Sequence, residues 1–302
     1  MKILVTGGAG FIGRHLVEFL LQNNLVLVYD NLSNSTNENA ASLVKKGAKF
    51  LKGDILDVES LYEFAKGVDV VIHLAAKSDV NDSMKNPEIT NKVNVDGTAN
   101  VLQCCIRNKI KKIIFASSAA VYGDCDNIIT EKTLTNPLSP YGQSKLDAEK
   151  IIIKTCQENN ISHIIFRMFN VYGKGQNKQY AGVITKFFKN ILENKPLVVY
   201  GDGNQTRDFI SIHDVVKAYD CATKSDKVGT YNIASGKSIT INELSKDILS
   251  SLNKKIEIKH TEEQRGGIQT SQADITLAKK ELGFFPTKLL KQELSSIYLE
   301  LD

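Results

Sequence analysis

Short apolar runs alternate with longer stretches of mixed polarity through the first half of the chain. Each run has the length and composition of a buried strand, and the stretches between them carry apolar residues at helical spacing. The predicted strands are residues 3–5, 25–29, 48–52, 68–74, 112–117 and 162–168. The predicted helices are residues 11–22, 40–46, 58–65, 91–108 and 143–159. Strands joined by helices pair in parallel, so the pattern predicts an α/β fold with a doubly wound parallel sheet.

The pattern becomes irregular after about residue 170, where helices and very short strands follow one another. The predicted helices there are residues 183–192, 212–222 and 241–252, followed by a final pair, and the predicted strands are residues 197–200, 230–233 and 255–259. We therefore expect a doubly wound domain at residues 1–170 and a smaller α/β domain at residues 171–302. Residues 210–235 could return to the first domain.

Composition and charge change this picture little. Hydrophobic residues are 42% and charged residues 24% of the chain, which is typical of a globular protein. The net charge is +4 and the basic residues are scattered, which suits an anionic substrate and argues against nucleic acid. No apolar run is long enough for a membrane span or a signal peptide. The five cysteines lack a C-x-x-C pair and the five histidines lack metal-ligand spacing, so we expect a cytoplasmic protein without a metal site.

Three glycines, Gly7, Gly10 and Gly13, follow the first predicted strand and precede a predicted helix. The first allows a tight turn, the second lets a pyrophosphate approach the backbone, and the third lets the helix pack against the strand. The unpaired N–H groups at the helix N-terminus favour phosphate charge. This strand–turn–helix setting predicts a dinucleotide site on a Rossmann sheet, rather than a glycine turn without a ligand.

Asp30 ends the second predicted strand, near the position at which an acidic side chain accepts both ribose hydroxyls of an adenosine. A carboxylate there repels a 2′-phosphate, and no arginine follows at residues 31–35 to offset the repulsion. The sequence therefore favours NAD over NADP.

Tyr141 and Lys145 are four residues apart near the start of a predicted helix, which places them on one face. An ammonium group beside a phenol favours the phenolate, and a phenolate is a general base for a sugar or alcohol hydroxyl. Surface helices carry the same spacing, so the dinucleotide site upstream is the reason to favour the catalytic interpretation. Ser118 ends a strand at the same sheet edge, where it either shares the substrate proton or caps the strand end.

Ten motifs occur in order along nearly the whole chain. They are Thr6-Gly-Gly-Ala-Gly-Phe-Ile-Gly13, Asp30-Asn-Leu32, Gly53-Asp-Ile55, His73-Leu-Ala-Ala76, Asn94-Val-Asp-Gly-Thr98, Ser117-Ser-Ala-Ala-Val-Tyr-Gly123, Tyr141-Gly-Gln-Ser-Lys145, Arg167-Met-Phe-Asn-Val-Tyr-Gly173, Gly201-Asp-Gly-Asn-Gln-Thr-Arg-Asp-Phe209 and Ala273-Asp-Ile275. Together they resemble the extended short-chain dehydrogenase/reductase family, and within it the nucleotide-sugar epimerases of the UDP-galactose 4-epimerase type.

The resemblance implies that the first domain binds NAD and that the second binds a nucleotide sugar. The implied cofactor-binding residues are Gly7, Gly10, Phe11, Ile12, Gly13, Asp30, Asn31, Asn34, Ser35, Asp54, Ile55, Leu74, Ala75, Ala76, Asn94, Tyr141 and Lys145. The implied catalytic residues are Ser118, Tyr141 and Lys145. The implied substrate-binding residues are Ser118, Asn170, Tyr200, Arg207 and Arg265.

The reaction within such a family depends on residues beside the shared Ser–Tyr–Lys set. The resemblance places the acids of the 4,6-dehydratases and decarboxylases where this chain has Ala119 and Ala120, which cannot move a proton. The simplest reaction is then 4-epimerisation of a UDP-hexose through a transient 4-keto sugar, with NAD regenerated in each cycle. The alternatives are a UDP-uronate 4-epimerase or an NDP-sugar 4-reductase, and, least favoured, a non-catalytic NAD-binding scaffold.

Two more expectations concern the sugar and the assembly. In the resembling family, the residue three positions before the Ala-Asp-Ile acid borders the hexose, and here it is Ser271, small enough to admit N-acetylhexosamines. The family often has Arg-Pro-Gly-Asp where this chain has Arg265-Gly-Gly-Ile268, so the ribose contact of that acid has no counterpart. Apolar residues on several faces of predicted helices 91–108 and 143–159 indicate a homodimer, with burial against the sheet as the alternative.

Overall fold

The computed structural model describes residues 1–125, 127–176, 182–262 and 268–299. Its central sheet has seven parallel strands, β1 (Lys2–Thr6), β2 (Leu25–Asp30), β3 (Lys49–Lys52), β4 (Val70–His73), β5 (Lys112–Ser118), β6 (Ser162–Met168) and β10 (Gly229–Ile233). The order across the sheet is β10-β6-β5-β4-β1-β2-β3. The strand order therefore reverses beside β1, and such a reversal opens a crevice at the carboxyl ends of the strands. The predicted doubly wound parallel sheet is confirmed.

Helices cover both faces of this sheet, which explains why its strands are apolar throughout. One face packs against α1 (Phe11–Leu20), α2 (Asn37–Lys45), α9 (Ile212–Lys224) and α11 (Thr276–Leu282). The other packs against α3 (Val58–Phe64), α6 (Gly97–Arg107) and α7 (Pro140–Glu158). Two short helices, α4 (Val80–Lys85) and α5 (Pro87–Asn91), follow β4.

A second apolar core lies in the C-terminal part of the chain. It forms around Phe187, Phe188, Leu244 and Leu294. The helices there are α8 (Val183–Leu192), α10 (Ile241–Ser251) and α12 (Leu290–Tyr298). The strands are β7 (Asn170–Tyr172), β9 (Thr206–Ser211) and β11 (Ser238–Thr240) in one sheet, and β8 (Leu197–Tyr200) with β12 (Ile258–Thr261) in another. Among the described residues no helix is both long and apolar enough to cross a bilayer.

The predicted helix at 91–108 is helical in the structure but is not α-helical throughout. Helix α5 ends at Asn91, a π-helical turn spans Lys92–Asp96, and α6 begins at Gly97. The wider turn inserts residues into the helix without removing its apolar face, so the hydrophobic pattern could not reveal it. Such π-turns are frequent at functional sites, and this one carries Asn94.

The other differences from the sequence prediction concern strands outside the central sheet. The prediction lacks β7, β9 and β11, and β12 begins at Ile258 rather than 255. Strands β7 and β11 are only three residues long, too few for a two-residue alternation to be visible, and β9 begins with the polar residues Thr206-Arg-Asp208. Strand β10 pairs with β6 from Gly229 to Ile233, so the chain returns to the central sheet after the C-terminal part has begun.

Candidate active site

The glycine turn follows β1 at the point where the strand order reverses. Gly7 has a φ of 68°, a backbone conformation that favours glycine, and a Cβ there would lie 2.7 Å from the Ala75 backbone nitrogen. A Cβ on Gly13 would lie 2.3 Å from the Gly7 carbonyl oxygen, so this glycine allows α1 to approach the turn. Helix α1 starts after Gly10 without a side-chain cap. Its first N–H groups are therefore available to an anion.

Asp30 is buried, and its carboxylate holds the glycine turn and the loop after β2 through hydrogen bonds. One carboxylate oxygen accepts a hydrogen bond from the Ala9 backbone N–H at 3.0 Å, and the other accepts from Leu32 N–H at 2.8 Å and from the Ser35 hydroxyl at 3.3 Å. A carboxylate has about four acceptor positions, so it retains room for a ribose hydroxyl beside these donors. The role of Asp30 thus includes shaping the turn, which the sequence did not indicate.

The next predicted cofactor residues lie along the same sheet edge. Asn31 donates to the Asp54 carboxylate at 2.9 Å, which joins the loops after β2 and β3. Ile55 is buried, whereas Asn34 is exposed. The half-buried residues of the same edge are Phe11, Ile12, Leu74, Ala75 and Ala76. These residues line the crevice edge from β3 to β4.

Asn94, in the π-helical turn, holds the loop after β4 and the start of α7 together. Its side-chain oxygen accepts from the Lys77 backbone N–H at 2.8 Å, and its nitrogen donates to the Lys77 carbonyl at 3.0 Å. The same nitrogen donates to the Ser144 hydroxyl at 2.9 Å, and that hydroxyl donates to the Tyr141 carbonyl at 2.8 Å. Asn94 therefore links the cofactor edge to the catalytic helix.

A buried histidine lies beneath this link. Thr98 donates its hydroxyl hydrogen to the Asn94 carbonyl at 2.6 Å, so it accepts from His73 Nε2 at 3.0 Å. His73 Nδ1 then accepts from the Thr6 hydroxyl at 2.7 Å. Burial lowers the pKa of His73 to about 3, and the nearby Lys145 ammonium acts in the same direction. His73 is therefore a neutral structural group, as its position in an apolar strand suggests.

Ser118, Tyr141 and Lys145 come together at the end of β5 and the start of α7. The Ser139 hydroxyl caps α7 by accepting from Gly142 N–H at 3.1 Å, and Pro140 occupies the first turn. The Ser118 side chain lies close enough to the Tyr141 phenol to act on its pKa, which it lowers. Ser118 also accepts from Ala120 N–H at 3.1 Å, so both interpretations of this serine, cap and catalytic partner, are compatible with its position.

The electrostatics of this set differ from the expectation that Lys145 lowers the pKa of the Tyr141 phenol. Burial raises the pKa of Tyr141, and the Ser118 hydrogen bond opposes it only partly. The Lys145 ammonium donates to the Ala116 carbonyl at 2.8 Å, and burial lowers its pKa to about 7. Desolvation therefore dominates the pKa of the Tyr141 phenol.

A cavity of about 1050 Å³ opens between α8, β8, β9 and the segment that begins at Ile268. Asn170, Tyr200 and Arg207 all line it, as the substrate-binding prediction requires. Ser271 does not line it: this residue is buried, and its backbone N–H donates to the Thr206 hydroxyl at 3.2 Å. Arg265 lies outside the described residues.

Arg207 is the cation that faces this cavity from the strand side. Its guanidinium donates to the Thr206 carbonyl at 2.7 Å, and burial lowers its pKa, while the charge of Asp124 opposes the shift. Asn170 donates to the Asp208 carbonyl at 3.1 Å, which orients its amide oxygen. The cavity thus offers a partly desolvated guanidinium, a group that binds phosphate oxygens through paired hydrogen bonds.

A buried acid next to Arg207 was not predicted as a site residue from the sequence. Asp208 is fully buried and accepts four hydrogen bonds, from Ser235 N–H at 2.8 Å, the Ser235 hydroxyl at 2.6 Å, Gly236 N–H at 3.0 Å and Ala273 N–H at 3.3 Å. It joins β9 to the segment that carries Ser271. Its signal in the sequence is a charged residue placed directly before the apolar run Phe209-Ile-Ser-Ile212.

Residues 3–234 match the model of the NAD dependent epimerase/dehydratase family. The chain belongs to this family. The resemblance to extended short-chain dehydrogenases/reductases is thereby confirmed, and NAD is the cofactor of the family.

Three solved structures share the fold along almost the whole chain. A UDP-N-acetylglucosamine 4-epimerase from Methanobrevibacter ruminantium M1, in complex with UDP-N-acetylmuramic acid, has a TM-score of 0.95 at 36% identity over 99% of this chain and 97% of that chain. A UDP-glucose 4-epimerase from Thermotoga maritima, with UDP-glucose, has a TM-score of 0.95 at 31% sequence identity, covering 100% of this chain and 98% of that chain. A UDP-glucuronic acid 4-epimerase from Bacillus cereus, with UDP-glucuronic acid and NAD, has a TM-score of 0.93 at 32% sequence identity, covering 100% of this chain and 99% of that chain.

The residues present fit NAD. The uncapped start of α1 offers N–H groups to a pyrophosphate, and the backbone at Gly7 and Gly10 leaves no side chain in the way. Asp30 disfavours the extra phosphate of NADP, since a carboxylate at the end of β2, bonded to the glycine turn, repels a 2′-phosphate. Within the described part of the chain no cluster of histidine, cysteine or acidic residues could hold a metal ion.

Proposed function

We propose that this family member catalyses the NAD-dependent 4-epimerisation of a UDP-hexose through a transient 4-keto sugar. The observation that carries the proposal is that Ser118, Tyr141 and Lys145 come together where β5 ends and α7 begins, on the sheet whose β1 leads into the glycine turn. The chain also has a cavity lined by Arg207. When bound, NAD takes up a hydride and gives it back, and its positively charged ring favours the Tyr141 phenolate. The solved epimerase structures in this family support the same reaction type.

Tyr141 acts as the general base toward the 4-hydroxyl of the sugar. The Ser118 side chain favours the ionised phenol, since it lowers the pKa of Tyr141, and in this proposal its hydroxyl stabilises the phenolate while the proton moves. Lys145 is fixed to the strand by its bond to the Ala116 carbonyl, and in this proposal its ammonium also binds the nicotinamide ribose. The proton returns from Tyr141 to the sugar at the end of the cycle.

Epimerisation is favoured over dehydration or decarboxylation by the two residues after Ser118. Residues 119–121 form a single 3-10 turn, and its half-buried side chains are Ala119 and Ala120. Neither can donate or accept a proton, so the keto sugar has no acid beside it that would drive an elimination. Rotation of the keto sugar and return of the hydride to its other face is the course that needs no further group.

The second part of the chain holds the UDP portion in this proposal. Arg207 pairs with the diphosphate, Asn170 contacts it through its amide, and Tyr200 faces the base. Arg265 is the second phosphate-binding residue that we propose from the family resemblance. The sugar is glucose or galactose and, if Ser271 borders the hexose, an N-acetylhexosamine as well.

A UDP-uronate 4-epimerase is the second candidate, because a UDP-glucuronic acid 4-epimerase shares the fold at 32% identity. The test is incubation of the purified protein with UDP-glucose, UDP-N-acetylglucosamine and UDP-glucuronic acid, with products resolved by NMR. Conversion of the hexoses to their 4-epimers supports the proposal. Conversion of UDP-glucuronic acid alone supports the second candidate. Net accumulation of a reduced sugar with consumption of NADH indicates a 4-reductase, and no turnover of any UDP-sugar would leave a binding scaffold.

We also propose a cytoplasmic homodimer. Cys104 and Cys156 are buried thiols, and burial raises their pKa values to about 11 and about 12, as suits thiols kept reduced. Of the apolar residues on the two long helices, Leu102, Cys105 and Ile152 are buried against the sheet. Val95, Ile151 and Ile153 are only partly buried and remain candidates for a four-helix interface.

A further inference from the structure

A buried ion pair lies directly behind the catalytic set. Glu149 follows Tyr141 by two helical turns and Lys145 by one, on the same face of α7. The Arg167 side chain, on β6, reaches both Glu149 oxygens from Nε at 3.0 and 3.2 Å, and Oε2 from Nη2 at 2.6 Å. The exposed fractions of the two side chains, Arg167 and Glu149, are 9% and 2%. A bidentate pair this deeply buried has a fixed geometry.

The same carboxylate binds the strand that carries the catalytic serine. Glu149 accepts a hydrogen bond from the Ser117 hydroxyl, and the residue before that serine, Ala116, accepts one from Lys145. Two successive residues of β5 are therefore bonded to two successive turns of α7. Ser118 is the next residue along the strand. Its position relative to Tyr141 is set by these two bonds.

The Arg167 guanidinium also contacts groups other than Glu149. Its guanidinium lies 4.8 Å from the centroid of the Tyr122 ring, and Nη1 donates to the Glu131 carbonyl at 3.4 Å. Tyr122 donates its hydroxyl hydrogen to the Asn232 side chain at 2.7 Å. The ion pair is thus anchored to three other parts of the chain, and Glu149 has little freedom to shift.

We propose that Glu149 and Ser117 are positioning residues for the epimerase reaction, which lock α7 against β5 and so set the spacing of the Ser118 and Tyr141 hydroxyls. The inference rests on the proposed function. Neither residue touches the substrate in it. A purely structural pair would change how much protein folds, whereas a positioning pair changes the reaction of each folded, NAD-loaded molecule.

The test uses the NAD-loaded full chain. Ser117→Ala removes one hydroxyl and leaves the ion pair in place, so we expect kcat per bound NAD to fall about tenfold with KM for the UDP-sugar unchanged. Glu149→Gln removes the charge that binds Arg167 and is expected to lower kcat about 100-fold. The matched control is Ser245→Ala, which removes an equally buried hydroxyl that donates to the Ile241 carbonyl in α10. This control should keep wild-type kcat.

A crystal structure of Ser117→Ala gives a readout that needs no turnover. The distance between the Ser118 Oγ and Tyr141 hydroxyl oxygens should change by more than about 0.5 Å relative to the wild type, which is the tolerance of a catalytic geometry. Wild-type kcat per bound NAD in Ser117→Ala, or an unchanged distance, would overturn the inference. Wild-type protein that turns over no UDP-sugar would instead count against the proposed function, while the distance still tests the positioning.

Discussion

Tyr141 and Lys145 occupy one helix face, yet burial moves their pKa values in opposite directions. The Tyr141 pKa is raised and the Lys145 pKa falls to about 7, so burial disfavours the charged form of both side chains. A residue-level description of this site must therefore include desolvation as well as the spacing of the two side chains.

The role of Tyr141 is tested by Tyr141→Phe, which removes the hydroxyl and keeps the ring. Without a base, turnover of the preferred UDP-sugar should fall roughly 10²–10⁴-fold, because general base catalysis contributes that much. The NAD content of the purified variant should match the wild type, since Gly7, Gly10 and Asp30 are untouched. Near-normal turnover in the variant would remove Tyr141 from the mechanism.

Ser271 is the residue at which the structure most complicates the sugar prediction. It is 5% exposed and does not line the cavity, whose wall in this segment is formed by Ile268 and Gln269. If Ser271 borders the hexose in the bound state, Ser271→Tyr should reject N-acetyl sugars and spare plain ones, since overpacking costs typically about 1–3 kcal/mol. The measurement is the ratio of kcat/KM for UDP-N-acetylglucosamine and UDP-glucose. An unchanged ratio would show that Ser271 is not the gate.

At the scale of elements, side-chain hydrogen bonds connect different strands and helices at the carboxyl edge of the seven-stranded sheet. Thr6 ends β1, His73 ends β4, Thr98 lies in α6 and Asn94 precedes it, and all four are buried. Thr6 donates to His73 Nδ1, His73 Nε2 donates to Thr98, and Thr98 donates to the Asn94 carbonyl. The proton of the neutral imidazole is therefore on Nε2. A charged imidazole would lack an acceptor on Nδ1, because Thr6 already donates there.

This network predicts how stability depends on pH. The pKa of His73 is about 3 in the folded chain and 6.5 when unperturbed. Between these values only the unfolded chain binds the proton, so the free energy of unfolding falls as the pH drops from 6.5 toward 3. At a pH of about 4.5 the loss from this group is about 3 kcal/mol. His73→Asn keeps an acceptor for Thr6 without titrating. Urea unfolding at about pH 7 and about pH 4.5 should show a smaller decrease in the variant, and an equal decrease would contradict the prediction.

At the scale of the molecule, the chain leaves the seven-stranded sheet and later returns to it. Strands β7, β8 and β9 lie in the two small sheets, and β10, which follows them in sequence, pairs with β6 in the seven-stranded sheet. Asp208 on β9 accepts a hydrogen bond from the Ala273 N–H, which connects β9 to the segment 271–273. The cavity lined by Arg207 is thereby connected to the sheet that carries the proposed catalytic residues. An epimerase benefits from such an arrangement because it must hold the keto sugar until the hydride returns.

An epimerase of this kind should retain its cofactor. We expect NAD to co-purify with the protein and to remain oxidised on average during turnover, because release of NADH would strand the keto sugar. Absorbance at the NADH band during incubation with UDP-glucose is the measurement, with Tyr141→Phe as the control that forms none. Steady accumulation of free NADH would point to an oxidising or reducing role instead.

The assembly prediction belongs to the same scale. Ile106, near the end of α6, is 38% exposed, and Val95, Ile151 and Ile153 are partly buried on the helices of the same sheet face. A second copy would cover them in a four-helix interface. Light scattering at micromolar concentration should give the mass of a dimer. A monomer, or a dimer unaffected by Ile106→Lys and Ile153→Lys together, would place the interface elsewhere or remove it.

The sequence by itself determined the strand–helix alternation, the glycine turn after β1, Asp30 at the end of β2 and the Tyr141–Lys145 spacing, because each is a local pattern along the chain. It could not show the π-turn at Asn94, the short strands β7 and β11, or the pairing of β10 with β6. Only the tertiary structure decided which buried charges meet, as with Glu149 and Arg167 or Asp208 and Ala273, and which way burial moves the pKa of Tyr141. Those properties depend on contacts between residues far apart along the chain and on exclusion of water, and neither is encoded in the spacing of neighbours.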